Sequence, residues 1–361
     1  MNPLPIRPDA PWLAPLAGWS DLPFRVLCRE QGAAVCCTEM VSAKGLVYGG
    51  RNTEDLLATT PLEGELLDDG SHVTDHPLVV QIFGAEAEFM AQAVRILRER
   101  GFSWFDVNMG CSVPKVTKTG AGAAMLRDVP NALRVAEAVI EAAGAGNIGF
   151  KLRLGWDSSH EVYRELAAEL AARGAGWISL HPRHAVQGFA GTPRVDAIGE
   201  LASELPVPVI ASGDLFTAAD GVRVLRDTGC AAVMYARGAL KDPAIFAKHL
   251  ELLRDGGELP EAELHSPAFE GRALAAQNAC DVLDDLPVDR AALGHIIRRH
   301  AQLAQRWSPH LALLKMRTFV PRYVKSMDGA RALRQDIVRC SDWKSLNAIL
   351  ETYFGAELEL E

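Results

Sequence analysis

The sequence predicts an α/β protein made of a (β/α)8 TIM barrel followed by a smaller all-α helical domain. Between Trp12 and about Leu253, strand-like apolar runs alternate with segments of helical period, the pattern of parallel strands joined by crossover helices. There are eight such runs, and eight strands close a barrel. The last part of the chain is helical in pattern throughout. We therefore expect a barrel domain at 1–255, a linker at 256–270 and a helical domain at 271–361.

Each predicted strand is a short run rich in β-branched or aromatic residues and bounded by turn residues. The strands are expected at Trp12–Leu16, Ala34–Met40, Leu78–Phe83, Trp104–Asn108, Ile148–Leu152, Trp177–His181, Val207–Ala211 and Ala231–Tyr235. Helices are expected at Leu22–Glu30, Ala87–Arg100, Asn131–Ala143, His160–Arg173, Arg194–Glu204, Ala218–Asp227 and Pro243–Leu253. The long connection between the second and third strands contains an acidic segment, Glu63–His76, which we interpret as a surface excursion.

The composition argues against a membrane protein and against a secreted protein. The 361 residues are 48% hydrophobic, but nowhere do eighteen apolar residues run together, and the N-terminus lacks the apolar core of a signal peptide. The seven cysteines show no C-x-x-C spacing, which argues against a zinc site or a disulfide framework. We therefore expect a cytoplasmic monomer without a metal. Because the net charge is -9, a polyanionic partner would have to bind at a local basic patch.

The C-terminal ends of the predicted strands carry an unusual number of reactive side chains. In a (β/α)8 barrel these ends meet on one face, where the chemistry takes place. In chain order they offer Pro15–Gly18, Glu39, Met40, Gln81, Asn108, Cys111, Lys151, Arg153, His181, Arg183, Ser212, Gly213, Asp214, Ala236, Arg237 and Gly238. A doubly wound open sheet would show the same alternation of strands and helices, but no G-x-G-x-x-G follows the first strand.

Cys111 is expected where the fourth strand ends and a loop begins. Lys115 and Lys118 follow it, and Gly120–Gly122 closes the loop in a way that permits close approach to a ligand or to another backbone. A buried structural thiol followed by a solvated loop is the alternative.

The last two strand ends have the composition of a phosphate cradle. Loops after the seventh and eighth strands of barrels commonly bind a phosphoryl group through backbone N–H donors, and Ser212–Asp214 and Ala236–Gly238 fall there. Lys151 lies inside a strand of buried type, so its ammonium needs a negative partner; an ion pair with Glu39 or Asp106 is the structural alternative. Gln81 and Asn108 also lie at strand ends, where their amide side chains can donate to and accept from the edge of a heterocycle.

The helical domain is locally basic. Its cations include Arg298, Arg299, Lys315, Arg317 and Arg322, with Trp307, Phe319 and Tyr323 between them. Such cations can hold phosphates while bases stack on the rings, although aromatic residues at helical spacing are more often core residues. The pattern indicates a nucleic-acid-binding face.

Taken together, these motifs give the chain a strong resemblance to the tRNA-dihydrouridine synthases, from about Trp12 to Phe354. The motifs that carry it are APLAGWSDLPFR at Ala14–Arg25, Thr38-Glu39-Met40, Val80-Gln81, NMGC at Asn108–Cys111, KLRLG at Lys151–Gly155, His181-Pro182-Arg183, Ser212-Gly213-Asp214 and Ala236-Arg237-Gly238. Each motif alone is unspecific, but the ordered set is specific. Three positions depart from the usual pattern: Ser112 replaces a proline, Ser212 an asparagine and Ala236 a glycine.

The resemblance implies reduction of the C5–C6 bond of specific uridines in tRNA, with FMN as cofactor and NADPH or NADH as reductant. It places the FMN phosphate on Ser212–Asp214 and Ala236-Arg237, and the ring near Ala14–Leu16, Gln81, Asn108, Lys151 and His181. Cys111 is then the proton donor. Lys115, Arg183 and the five named cations of the helical domain would contact tRNA. Two alternatives stay open: a small-molecule pyrimidine reductase of the dihydroorotate type, and a non-catalytic RNA-binding flavoprotein.

Overall fold

Eight parallel strands close a barrel in the computed structural model, which describes residues 3–50, 53–256 and 289–355. We number them β1 (Trp12–Leu13), β2 (Val35–Cys37), β3 (Leu78–Phe83), β4 (Trp104–Met109), β5 (Ile148–Arg153), β6 (Trp177–His181), β7 (Val209–Ala211) and β8 (Ala232–Tyr235). Each strand pairs with the next in the chain. Leu13 of β1 pairs with Cys36 of β2 on one side and with Tyr235 of β8 on the other, which closes the barrel and confirms the predicted architecture.

Fifteen α-helices surround or follow the barrel within the described residues. They are α1 (Leu22–Glu30), α2 (Ala43–Val47), α3 (Thr53–Leu57), α4 (Ala87–Glu99), α5 (Pro114–Thr117), α6 (Val129–Ala143), α7 (Tyr163–Ala172), α8 (Asp196–Glu204), α9 (Ala218–Thr228), α10 (Arg237–Lys241), α11 (Ile245–Arg254), α12 (Arg290–Trp307), α13 (Ala312–Tyr323), α14 (Ala330–Arg339) and α15 (Trp343–Phe354). Gly122–Arg127 and Ala185–Gln187 form 3-10 helices. No helix in these described segments is both long and apolar enough to cross a membrane.

The predicted strands and helices are present, with differences at their ends that have physical causes. The first strand stops at Leu13 rather than Leu16, because Pro15 has no N–H to give to a ladder. The seventh begins at Val209 rather than Val207, just after Pro208, for the same reason. Helices α2, α3, α5 and α10 have only four or five residues and were not predicted, because so short a segment shows no helical period. The predicted linker lies, apart from Gly256, outside the described residues.

The barrel interior is filled at the end where the strands begin. Trp12 and Trp177, the first residues of β1 and β6, meet edge to face with ring centroids 5.6 Å apart. Gly149 makes room for the second indole, since a Cβ at that position would lie 2.1 Å from the Trp177 ring. This plug leaves the interior open only towards the C-terminal ends of the strands, where the predicted functional residues lie.

The C-terminal helices share a core with the barrel. Phe319 of α13 packs on Phe24 of α1 with ring centroids 5.2 Å apart, and His300 of α12 lies 4.5 Å from Phe319. The buried Tyr323 hydroxyl bonds to His300 Nδ1 at 2.8 Å. The helical region is therefore docked onto α1 through apolar contacts.

The predicted excursion Glu63–His76 forms a second contact with the helical region. Glu65–Leu66 and His72–Val73 pair as a small antiparallel hairpin on the surface. Its acidic side chains meet α12, where Arg299 pairs with Asp69 at 2.7 Å and Arg306 pairs with Glu65 at 2.5 Å. The excursion therefore links the barrel to the C-terminal helices.

Candidate active site

A cavity of about 270 Å³ opens at the C-terminal ends of the strands. Its wall contains Cys111 and every residue predicted to bind the cofactor: Ala14, Pro15, Leu16, Gln81, Asn108, Lys151, His181, Ser212, Gly213, Asp214, Ala236 and Arg237. Residues that are more than 200 positions apart in the chain thus meet in one place, because parallel strands bring their ends to the same face.

A hydrogen-bond chain runs from the barrel interior to the loop that carries Cys111. Gln81 Nε2 donates to Asp106 Oδ2 at 2.7 Å, and Asn108 Nδ2 donates to Gln81 Oε1 at 2.9 Å. Asn108 Oδ1 accepts the backbone N–H of Cys111 at 2.9 Å and that of Gly110 at 3.2 Å. We call Asp106, Gln81 and Asn108 the orientation chain. It fixes the start of the loop to the floor of the cavity.

The Cys111 loop is also held from its other side. Gly122, with φ +62°, lies so close that an added Cβ would be 2.6 Å from the Cys111 carbonyl oxygen, and Ala123 N–H donates to that oxygen at 2.9 Å. The predicted close approach of Gly120–Gly122 is thus made to Cys111 itself. Pro114 begins α5 at a position where a missing N–H costs nothing. Ser112 lines the cavity beside Cys111, which is half-buried.

Lys151 presents its ammonium to the cavity from β5. Its Nζ donates to Ser212 Oγ at 3.1 Å, so the serine that departs from the usual pattern is used here. Burial lowers the pKa of Lys151 to about 8, and the Asp106 carboxylate opposes that shift. Burial likewise raises the pKa of Asp106 to about 6, against the hydrogen bond from Gln81. At neutral pH Lys151 is therefore positively charged in the cavity wall, and Asp106, below the cavity, is negatively charged.

The ends of β7 and β8 form a pocket suited to an anion. Gly213 has φ +104°, and a Cβ there would lie 2.5 Å from the His181 ring, so only glycine fits. Within the described residues, the backbone N–H groups of Gly213 and Asp214 reach no acceptor. Arg237 pairs with the Asp214 carboxylate at 2.5 Å and lies over the rings of Phe189 and Phe216, at 4.4 and 4.8 Å. Unpaired N–H donors beside a guanidinium fit the phosphate of FMN.

His181 lines the cavity next to the anion pocket, and Arg183 contacts both His181 and Asp214. Arg183 Nη1 lies 3.2 Å from His181 Nε2, and as a guanidinium can only donate, that nitrogen accepts. Burial, reinforced by neighbouring cations, holds the pKa of His181 well below its ordinary value, so the ring is neutral. Arg183 is buried and also pairs with Asp214.

Several cations predicted to contact RNA have partners inside the protein. Arg298 is buried and donates to the Gly355 carbonyl. Arg299 pairs with Glu30 at 2.6 Å, Lys315 with Asp21 at 2.6 Å, and Arg317 donates to the Val338 carbonyl at 2.5 Å. Lys115 on α5 and Arg322 on α13 are exposed. Arg322 lies 4.0 Å over the ring of Trp19, in the loop after β1, so this cation sits beside the cavity rim.

Sequence reasoning missed the roles of Phe189 and Arg153 in the site. Phe189 follows the irregular segment after β6, where no period marks it; it stacks near His181 and under Arg237. Arg153 was noted only as a strand-end cation. Its Nε donates to the Gly110 carbonyl at 2.8 Å and its Nη1 to the Gly188 carbonyl at 2.7 Å. Arg153 thus fastens the Cys111 loop to the loop after β6.

Fold and site together define a TIM-barrel oxidoreductase of the FMN-dependent class. The sequence profile of the family described as "Dihydrouridine synthase (Dus)" matches residues 12–357, and the chain belongs to that family. A "tRNA-dihydrouridine synthase B" of Xanthomonas campestris pv. campestris is 31% identical, over 95% of this chain and 92% of its own. A "Probable tRNA-dihydrouridine synthase" of Treponema pallidum is 35% identical over 72% of this chain and 75% of its own, and one of Rhodobacter capsulatus is 36% identical over 71% and 78%.

Proposed function

We propose that this protein reduces the C5–C6 bond of uridines in tRNA to 5,6-dihydrouridine, with FMN as cofactor and NADPH or NADH as reductant. The observation that carries the proposal is the meeting of Cys111, Lys151 and the anion pocket in one cavity. A tRNA substrate would place the enzyme in the cytoplasm.

Different residues of the cavity would hold different parts of FMN. The N–H groups of Gly213 and Asp214, with Arg237, suit the phosphate. Ala14, Pro15 and Leu16 give an apolar wall for the ring. When bound, FMN supplies a hydride obtained from the nicotinamide. The ammonium of Lys151 would stabilise negative charge on a reduced ring through a charge that is already in place.

Cys111 is suited to supply the proton. Uracil is electron-poor at C6, so addition of hydride there leaves enolate character at C5, and a proton must then be delivered to C5. The thiol of Cys111 stands at the rim of the cavity, on a loop held by Asn108, Gly122 and Arg153. A thiol can donate its proton to the carbon that carries the developing negative charge, so it is a suitable general acid. Hydride and proton together account for both atoms added to the base.

The reaction itself tests the proposal. Purified protein, FMN, NADPH and an unmodified tRNA transcript should give dihydrouridine, measured by mass spectrometry of the digested RNA. Free uridine and orotate serve as the comparison substrates. Turnover of these small molecules without RNA would favour a pyrimidine reductase, and bound FMN that NADPH cannot reduce would favour a non-catalytic flavoprotein. The extruded base costs a few kcal/mol to unstack, which RNA contacts outside the cavity must offset.

Arg322 is the cation of the helical region that we expect to contact RNA most directly. It is exposed, stacked on Trp19 and next to the cavity rim. Arg322→Gln should weaken tRNA binding and lower the slope of log affinity against log salt by about 1, as expected for one lost phosphate contact. Binding is measured by fluorescence anisotropy across a salt series.

Arg226→Gln is the matched control. Arg226 is an exposed arginine in the last turn of α9, at the opposite face of the barrel. Arg226→Gln should leave both the affinity for tRNA and the slope of log affinity against log salt unchanged. Equal effects of the two changes would show that general charge, rather than this rim, determines binding. Arg298, Arg299 and Lys315, by contrast, should act mainly through stability, because each is paired within the protein.

A further inference from the structure

Asp106 is a buried carboxylate that lies below the cavity and is absent from its wall. It is 1% exposed. Its Oδ2 accepts from Gln81, and the indole N–H of Trp177 also interacts with the carboxylate and stabilises its charged form. Burying a carboxylate costs free energy even when it is hydrogen-bonded, so packing alone gives no reason to place one there.

The two ends of the orientation chain require the same direction of every bond, because Asp106 can only accept and the loop N–H groups can only donate. An ionised carboxylate can only accept, so Gln81 must present its NH2 group to it. The Gln81 oxygen then faces Asn108, which must answer with its own NH2 group. That leaves Asn108 Oδ1 directed at the loop, where it accepts the N–H groups of Gly110 and Cys111.

We propose that Asp106 is a positioning residue for Cys111, acting through the directed hydrogen bonds of Gln81 and Asn108. It touches neither the thiol nor the cavity. This inference rests on the proposed role of Cys111 as proton donor, but the arrangement it describes exists without substrate. The pKa of Asp106, raised by burial to about 6, still leaves the group ionised at neutral pH, as the direction of the chain requires.

The amide variant Asp106→Asn should reverse the chain. The oxygen of the new side chain accepts the Trp177 N–H, so its NH2 group faces Gln81, which then turns its oxygen inward and its NH2 group towards Asn108. Asn108 must accept with Oδ1, and its NH2 group would face two backbone N–H donors. The loop therefore loses two hydrogen bonds.

The readout is the rate at which iodoacetamide alkylates Cys111, followed by peptide mass spectrometry. The other described cysteines are buried, and mass spectrometry resolves each site. Asp106→Asn should raise the alkylation rate several-fold. It should also lower kcat for dihydrouridine formation about tenfold, equivalent to 1.4 kcal/mol, with KM for tRNA unchanged.

The double variant Asp106→Asn/Gln81→Glu provides the rescue. The new amide at position 106 donates to the new carboxylate at position 81, which also accepts from Asn108, so Asn108 Oδ1 again faces the loop. Total charge is unchanged. The alkylation rate of Cys111 should return to that of the unmodified protein, a result that a merely structural role for Asp106 does not produce.

Two results would overturn the inference: an unchanged alkylation rate in Asp106→Asn, or a raised rate that the double variant does not lower. If Asp106→Asn does not fold, a folded double variant with the original alkylation rate supports the inference and one with a raised rate overturns it. Because alkylation needs neither tRNA nor FMN, failure of the proposed function leaves this test intact. Normal alkylation with absent dihydrouridine formation would count against the function alone.

Discussion

Replacing Cys111 with alanine should abolish most tRNA reduction while leaving the flavin half of the reaction in place. The change removes the proton donor but touches neither Lys151 nor the anion pocket. FMN content and the rate of reduction by NADPH should therefore stay close to those of the unmodified protein. Dihydrouridine formation in an anaerobic single turnover should fall by about 10²–10⁴-fold, the usual contribution of a positioned general acid.

Two further variants test whether Ser112 can relay the proton and whether the loss of any buried thiol has the same effect. Ser112 lines the cavity beside Cys111 and its hydroxyl can relay a proton, so Cys111→Ala/Ser112→Ala is measured alongside. Cys340→Ala is the matched control, since Cys340 is buried in the helical region. It should cost about 1–2 kcal/mol of stability and leave turnover per folded molecule intact. Near-normal dihydrouridine formation by the double variant would remove the acid role from this loop.

Replacing Phe319 with alanine should have the largest effect on stability. The ring is 2% exposed and contacts Phe24 of the barrel, His300 of α12 and Trp19 of the rim. Phe319→Ala should lower the free energy of unfolding by about 3–5 kcal/mol, measured by urea denaturation. Because the lost contacts cross from α13 to the barrel, tRNA affinity should fall as well.

Phe89→Ala is the control for that experiment. Phe89 is a half-buried ring on α4 that contacts Tyr48 and Lys44. The same substitution there should cost about 1 kcal/mol, the typical size for a single change outside the core. A cost below about 1 kcal/mol at Phe319 would mean that the helical region does not depend on this contact with the barrel.

The barrel and the cavity wall could be predicted because both follow from local patterns. Each strand is a short apolar run, and the polar residue at its C-terminal end stands out against it. Gln81, Asn108 and Lys151 are examples: each is a polar residue in or at the end of a buried strand. Closure of the barrel then brings these ends together without any information from distant sequence.

The roles of the basic residues could not be predicted in the same way. Charge alone cannot tell a cation that faces solvent from one that is already paired, because the partner is far away in the chain. Arg299 and its partner Glu30 are 269 positions apart, and Lys315 and Asp21 are 294 apart. Only the docking of α12 and α13 onto α1 shows that these cations fasten the helical region and that Arg322 stays exposed.

The hydrogen-bond partner of Asp106 could not be predicted from the sequence either. From the sequence it is one of two candidate ion-pair partners for Lys151. In the structure Lys151 donates to Ser212, and Asp106 accepts from Gln81 instead. The direction of a hydrogen-bond chain depends on which side chains meet, and residue types alone do not determine that.

The most direct measurement is the dihydrouridine content of tRNA from a strain that lacks this gene. Each position is quantified by mass spectrometry, and the strain is complemented with the unmodified gene or with the Cys111→Ala/Ser112→Ala variant. The account predicts that dihydrouridine disappears from at least one tRNA position and returns only with the unmodified gene. Dihydrouridine retained at every position in the deleted strain, or restored in full by the double variant, would contradict it.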